Sequence, residues 1–368
     1  MDNELLEEIH IMRNHNKSTQ RLYRHSVNKY TEFCGMSLEE LLEEAEAEED
    51  EGIKWKKRKL KKRLLTFRQH LIDNFSLNSV YAIFGPIMVI YKYYEIEIHK
   101  LPPINKKAAN TAEPIQFADL PDKEIIRKAI DIATPTIKPI IYFMSSSGCA
   151  RRETLNLTIK DYIDALSEYT DETNIFDMIE DLGDCESVVP TFSILRQKTG
   201  KHYTTYCSPE AVRAINTYLL WRLDALKDNR PLFKIDPNHF TMCFIEINNK
   251  LRLGKVGKYN RFRSHMLRKF HASTLYNDGM SLDRVNELQG KAKNRTDSAY
   301  FMVNPEDLKN EYIQHLPSLS INQEVERLTV KSPEFLKMEK ENAEYKQRMD
   351  NLSNEIDLIK KEVMSRIK

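Results

Sequence analysis

Long hydrophobic runs are missing from this 368-residue chain. The most apolar stretch, Ser79 to Tyr94, is interrupted by Gly85-Pro86 and is too short to span a bilayer. The opening MDNELLEEIHIM is acidic and holds no apolar block of the signal-peptide kind. Cysteine is sparse and scattered. Cys34, Cys149, Cys185, Cys207 and Cys243 form no CxxC pair, which argues against a disulfide framework or a zinc site. These absences predict a soluble, cytoplasmic protein with no membrane partner. An excess of one charge is missing too, since 56 Lys and Arg against 55 Asp and Glu leave a formal +1. That excludes a uniformly basic DNA-coating protein. It does not exclude DNA binding, which depends on local positive surface rather than on the total. No repeat with a period of roughly 20–50 residues is present.

What is there reads as mainly α-helix with a small β-sheet. Residues 1–100 are low in glycine, lack strand alternation and predict a small helical bundle. Ser18 or Thr19 is the expected cap of a helix whose apolar face is Leu22, Val27, Tyr30 and Phe33. Ser37 and Glu40 have capping-box spacing ahead of SLEELLEEAEAEED. A long basic helix, KWKKRKLKKRLLTFRQHLI, and an apolar one from Ser76 to about Ile98 follow.

The proline-bearing stretch LPPINKKAANTAEPIQF, residues 101–117, predicts a linker. Residues 118–318 predict a mixed domain, with helices at 121–133, 136–147, 209–225, 238–250, 263–277, 281–288 and 305–314. TFSILRQ and KHYTTYC flank a Lys198-Thr199-Gly200 turn and predict a hairpin. In residues 319–368, Phe335, Met338, Asn342, Tyr345, Met349, Leu352, Ile356, Ile359 and Val363 step alternately by three and four. That is a heptad seam, expected as a coiled coil for assembly or a partner helix, with a helix folded back on its own domain as the alternative.

Three clusters in the mixed domain combine cations with one tyrosine. They are SSSGCARRETLNL with Arg151, Arg152 and Glu153, then LRQKTGK with Lys198, then the run from SHMLRKFH to ELQGKAKNRTDSAYF with His265, Arg268, Lys291 and Tyr300. His265 and Arg268 are three apart and share a helix face, so both can reach one anion. Guanidinium groups clamp the oxygens of a phosphodiester under attack. A lysine on a hairpin tip can protonate a leaving alkoxide. A tyrosine attacking phosphorus needs neighbouring cations, because its ordinary pKa of about 10 leaves it a weak nucleophile.

In order and spacing these residues resemble the tyrosine recombinase (phage-type integrase) family, particularly its archaeal members. The family's arginine box is matched by Gly148, Arg151, Glu153, Leu155 and Leu157, its hairpin lysine by Lys198, and its HxxR by His265 and Arg268. Gly290 and Lys291 follow, and Tyr300 lies nine positions after Lys291. Either Arg151 or Arg152 fills the first arginine position, with Arg151 favoured by the acidic residue two places on. Lys291 stands where many relatives carry histidine.

The resemblance implies cofactor-free strand exchange, in which Tyr300 forms a 3′-phosphotyrosyl link. Arg151 and Arg268 would bind phosphate oxygens, His265 would orient or deprotonate, Lys198 would act as general acid and Lys291 would touch the transition state, with Glu153 in support. It implies a helical core-binding (SAM-like) domain that closes on double-stranded DNA with the catalytic domain, and a tetramer on DNA associated with the nucleoid. Lys54, Lys56, Lys57, Arg58, Lys59, Lys61, Lys62 and Arg63 are the expected phosphate-binding residues of the first domain, unless the acidic run Glu39 to Glu51 neutralises them. Arg261 and Arg263, in KLRLGKVGKYNRFR, are the second such set. The alternatives are a type IB-like topoisomerase and a DNA-binding protein with an idle site. A metal-dependent nuclease is disfavoured, because the motif region carries no clustered carboxylates.

Overall fold

The computed structural model describes residues 2–105, 115–196, 200–222, 224, 226–291, 304–322, 345–346 and 348–349. The chain divides into two compact units, Met1–Pro114 and Ile115–Lys368.

The first unit is all helical, with α1 (Asp2–Met12), α2 (Lys17–Cys34), α3 (Leu38–Asp50), α4 (Lys59–Asn74) and α5 (Leu77–Tyr93). Its core gathers Tyr30, Leu41, Leu60, Leu64, Phe67, Leu71, Ile90 and Tyr91. The cap of α2 is Asn16, not Ser18 or Thr19. Its side-chain oxygen accepts from the backbone N–H of both of those residues, each at 3.0 Å. The buried face follows from that start and is Tyr23, Ser26, Val27 and Tyr30, while Leu22 and Phe33 are exposed. Ser37 and Glu40 form the expected capping box of α3.

The basic segment is not one helix. A 3₁₀ turn covers Trp55–Lys57, Arg58 is extended, and α4 begins at Lys59. The cause is Glu48 of α3, whose carboxylate accepts from the backbone N–H of Lys59 at 2.8 Å and of Leu60 at 3.4 Å. A buried carboxylate thereby takes two donors that the first turn of α4 would leave unmet.

The second unit is built on α7 (Ile137–Ser147), in which nearly every side chain is buried. A helix apolar on all sides belongs inside a domain, wrapped by neighbours. Those neighbours include α6 (Lys123–Ile132), α11 (Pro209–Trp221), α13 (Ser264–Asn277) and α15 (Pro305–Leu319). Strands β1 (Thr191–Arg196) and β2 (Lys201–Tyr206) pair antiparallel from Thr191↔Tyr206 to Arg196↔Lys201. Around these lie α8 (Arg151–Asn156), α9 (Ile159–Leu166), α10 (Ile175–Leu182), α12 (Pro237–Lys250) and α14 (Leu282–Leu288). A two-residue pair, β3 (Lys255–Val256) with β4 (Tyr259–Asn260), completes a mainly helical fold with small antiparallel sheets.

Helices α8, α9 and α10 are additions to the sequence reading. None exceeds eight residues, too few for a 3.6-residue pattern to declare itself. α11 stops at Trp221, short of the expected 225. α15 runs on to Leu319, past the expected 314, and carries Pro317 in its last turn. Apart from Tyr345, Lys346, Arg348 and Met349, the expected coiled coil lies outside the described residues. Among the described residues, no helix is long and apolar enough to cross a membrane.

Candidate active site

Helix α7 ends because Gly148 turns left-handed at φ +67°, its N–H returning to Met144 O. The next turn opens α8, where Glu153 folds back to accept from Ala150 N–H at 2.8 Å. The Glu153 carboxylate is buried and gathers three more groups. Tyr203 O–H of β2 donates to it at 2.9 Å, Arg268 Nη1 of α13 stands at 3.6 Å and Arg196 Nε of β1 at 3.8 Å. Segments some fifty and a hundred residues apart in the chain thus meet on one carboxylate. Burial, then Cys149 and Glu153, push the Tyr203 phenol far above its ordinary range, so it remains a donor.

Arg268 is itself buried and held by backbone. Its Nη1 donates to Gly148 O and its Nη2 to Gln289 O, both at 2.6 Å. Two guanidinium nitrogens are thereby anchored in a group that carries five N–H donors. Arg196 Nη1 donates to Gly290 O, so the turn end of the β1–β2 hairpin is bonded to the turn after α14. Gly290 has φ +56°, and a β-carbon there would strike the Tyr203 ring. Lys291 follows and is exposed. Its pKa is lowered, first by loss of water and then by the charges of Arg268 and Arg196.

His265 stands one turn before Arg268 on α13. Its pKa is lowered by desolvation and by Lys269, Arg263 and Arg268, so the neutral imidazole prevails at neutral pH. Arg151 opens α8 and is exposed, its Nη1 donating to Thr241 Oγ1 of α12 at 3.0 Å. Arg152 is exposed as well. Among the described residues, neither takes part in the Glu153 ion pairs, which Arg196 and Arg268 make. Lys198 and Tyr300 lie outside the described residues.

The basic residues expected to meet DNA divide sharply. Lys54, Lys56, Lys57, Lys59 and Lys62 are exposed, and Lys61 is half-buried. Arg58, by contrast, is buried, donating to Ile53 O at 2.9 Å and facing Glu49 at 3.5 Å. Arg63 is committed to Glu44 at 3.0 Å. The acidic helix α3 thus absorbs the arginines and leaves the lysines. Lys59, although exposed, lies 3.8 Å from Glu44. In the second unit Arg261 is spent on Ala118 O and Asp119 O, and Arg263 donates to Asn260 O while covering the Tyr259 ring. Arg261 therefore ties the β3–β4 segment to residues 118–119.

Three groups escaped the sequence reading: Arg196, which is half-buried, and His271 and Gln289, which are buried. Arg196 carried a signal, standing two places before Lys198 on the hairpin. His271 and Gln289 carried none, because their role arises only from packing. Among the described residues, no group of three or more His, Cys, Asp or Glu is arranged to hold a metal.

Residues 126–307, which contain this whole constellation, match the phage integrase family. Among solved structures, the chain resembles the XerH site-specific recombinase bound to palindromic difH substrate in a post-cleavage complex. The TM-score is 0.50 and the identity 17%, over 84% of this chain and 83% of that one. The XerA recombinase matches at 18% identity and TM-score 0.35, over 86% of this chain and 99% of that one. The Tn1549 transposon integrase in complex with transposon right end DNA matches at 15% identity and TM-score 0.42, over 68% and 84%. No curated protein matches the chain.

Proposed function

We propose that this chain, which carries a phage integrase family domain over residues 126–307, is a tyrosine-type site-specific recombinase that breaks and rejoins DNA without a cofactor. The observation that carries the reading is the seating of Arg268. Its guanidinium is anchored by Gly148 O and Gln289 O beside Glu153, and Lys291 follows the same turn. Glu153 of the arginine box, Arg268 of the HxxR pair and, through Arg196, the turn before Lys291 are tied together by these bonds, which supports reading them as parts of one anion-binding corner.

In the proposed reaction the Tyr300 oxygen bonds to a backbone phosphorus and the bond from phosphorus to the 5′ oxygen breaks. A 3′-phosphotyrosyl link and a 5′-hydroxyl result. Arg268 and Arg151 neutralise the non-bridging oxygens, and the placing of Arg268 by two carbonyls suits it to a fixed target. His265, neutral at ordinary pH, is suited to receive or orient the tyrosine proton. Lys198 protonates the departing 5′ oxygen. Its neighbour Arg196 is bonded to the turn bearing Lys291, which supports both lysines serving one site. The lowered pKa of Lys291 makes it a stronger acid than an ordinary lysine. The 5′-hydroxyl of a second strand then reverses the attack. The phosphoester bond energy is kept in the protein link, so neither metal nor nucleotide enters the balance.

The finer features follow from the same reading. The first unit is a core-binding domain that meets double-stranded DNA through Lys54, Lys56, Lys57, Lys59 and Lys62. Four chains act on two sites, the heptad segment supplies a helix for assembly, and the protein works on nucleoid DNA. The position of Arg151 relative to Glu153 favours the archaeal branch of the family. The test is recombination between two attachment sites on one plasmid in EDTA. Exchange of flanking markers supports the proposal. Relaxation of a plasmid lacking any site, without exchange, would assign a topoisomerase instead.

A further inference from the structure

We propose that Gln289 is a positioning residue that sets the guanidinium of Arg268 through a reciprocal clasp. The inference rests on the strand-exchange reading above. Gln289 is buried at the end of α14, against the His271 side chain of α13, where an apolar residue would be the ordinary occupant. Burying an amide is unfavourable unless its hydrogen bonds are made. Here its two N–H groups have two acceptors, Arg268 O at 2.9 Å and His271 Nδ1 at 3.2 Å. Its own backbone oxygen receives Arg268 Nη2 at 2.6 Å. Residues 268 and 289 therefore hold each other by main chain and side chain in both directions.

The Arg268 carbonyl, which can only accept, decides which way the amide points, and His271 Nδ1 stands within reach of the same amide nitrogen. The His271 ring is fully buried, and burial followed by the charges of Arg268 and Lys291 lowers its pKa to about 3, so it is neutral. A neutral ring whose Nδ1 accepts from the Gln289 amide carries its proton on Nε2. A flipped amide would set its oxygen against the Arg268 carbonyl oxygen and lose that bond. Gly148 closes the circuit, because its oxygen takes Arg268 Nη1 while its lack of a β-carbon leaves room for the His271 ring. The turn held this way continues through Gly290 N–H to Glu287 O at 2.8 Å and Lys291 N–H to Asn286 O at 2.9 Å. One clasp thus fixes Arg268 and the backbone from which Lys291 projects.

The test compares the full-length wild type, Gln289→Met, Arg268→Ala and the double variant. Three quantities are read: single-turnover cleavage of a suicide DNA duplex, affinity for the same duplex, and the side-chain Nε–Hε NMR signal of Arg268. Gln289→Met should cleave about tenfold to a hundredfold more slowly, the scale of a misplaced catalytic group. Its affinity for DNA should be unchanged, and in the Arg268→Ala background it should cost nothing more. The Arg268 signal should shift and exchange faster with water. If Gln289→Met does not fold, Gln289→Glu keeps the volume, removes the donors and is held to the same outcomes. Wild-type cleavage rates in both variants, multiplicative losses with Arg268→Ala, or an unmoved Arg268 signal would overturn the clasp. If the wild type binds DNA and never cleaves, the functional proposal falls, while the NMR arm still decides the clasp.

Discussion

The imidazole of His271 lies directly against the backbone of Gly148, so that a β-carbon on residue 148 would stand 2.5 Å from Nδ1. Glycine is required there twice over, because the same residue has φ +67°. Gly148→Ala should lose about 1–2 kcal/mol to left-handed backbone and about 1–3 kcal/mol to overpacking. Urea unfolding measures the sum. A loss near zero would mean that the His271 ring can step aside.

The same histidine makes stability depend on pH. Its folded pKa of about 3 lies below the ordinary 6.5, so between those values the unfolded chain binds a proton that the folded chain refuses. Stability is therefore full above pH 6.5 and declines as the pH falls toward 3, by at most about 1.4 kcal/mol per unit from this group. His10, His15 and His265 are lowered too and act in the same direction, so the comparison must be between variants. His271→Phe should flatten the acid slope measured by denaturant unfolding between pH 7 and 5. An unchanged slope would remove His271 from the account.

The lowered pKa of Lys291 predicts an early alkaline limb in the cleavage rate. A depressed lysine surrenders its proton at a lower pH than usual, so a step that needs the ammonium fades sooner as the pH rises. Lys291→Arg should retain most of the charge contact and move that limb to higher pH. Coincident profiles would show that Lys291 does not titrate in the rate-determining step.

Lysines and arginines of the basic segment should separate by experiment. Replacing Lys56, Lys57 and Lys62 together by alanine should weaken DNA binding and lower the slope of log affinity against log salt by up to about 3. Arg63→Ala should leave that slope alone and reduce stability instead, because Arg63 serves Glu44. A salt slope that responds to Arg63 and not to the lysines would reverse the assignment.

Much of the fold was legible because the signals were local. The Ser37–Glu40 capping box and the β-rich flanks of the hairpin are each decided within a few residues. The break in the basic segment was hidden, since the carboxylate that starts α4 comes from Glu48 on another helix. Helix α9 was hidden by brevity, although Thr158 and Asp161 spell its capping box. In the site, the order of Gly148, Glu153, Arg268 and Lys291 could be read along the chain. The bonds from Arg268 to two backbone oxygens and the pairing of Gln289 with His271 could not. Backbone carbonyls leave no mark in a sequence, and a buried glutamine is written with the same letter as a surface one.

The central claim is that Tyr300 becomes covalently joined to DNA. The direct measurement is a denaturing gel of the wild type and Tyr300→Phe after incubation, without metal, with a nicked duplex carrying the presumed attachment site. The account predicts a protein–DNA adduct with the wild type that is absent from Tyr300→Phe, although both bind the duplex equally. An adduct that persists in Tyr300→Phe, or none with bound wild type, would contradict it.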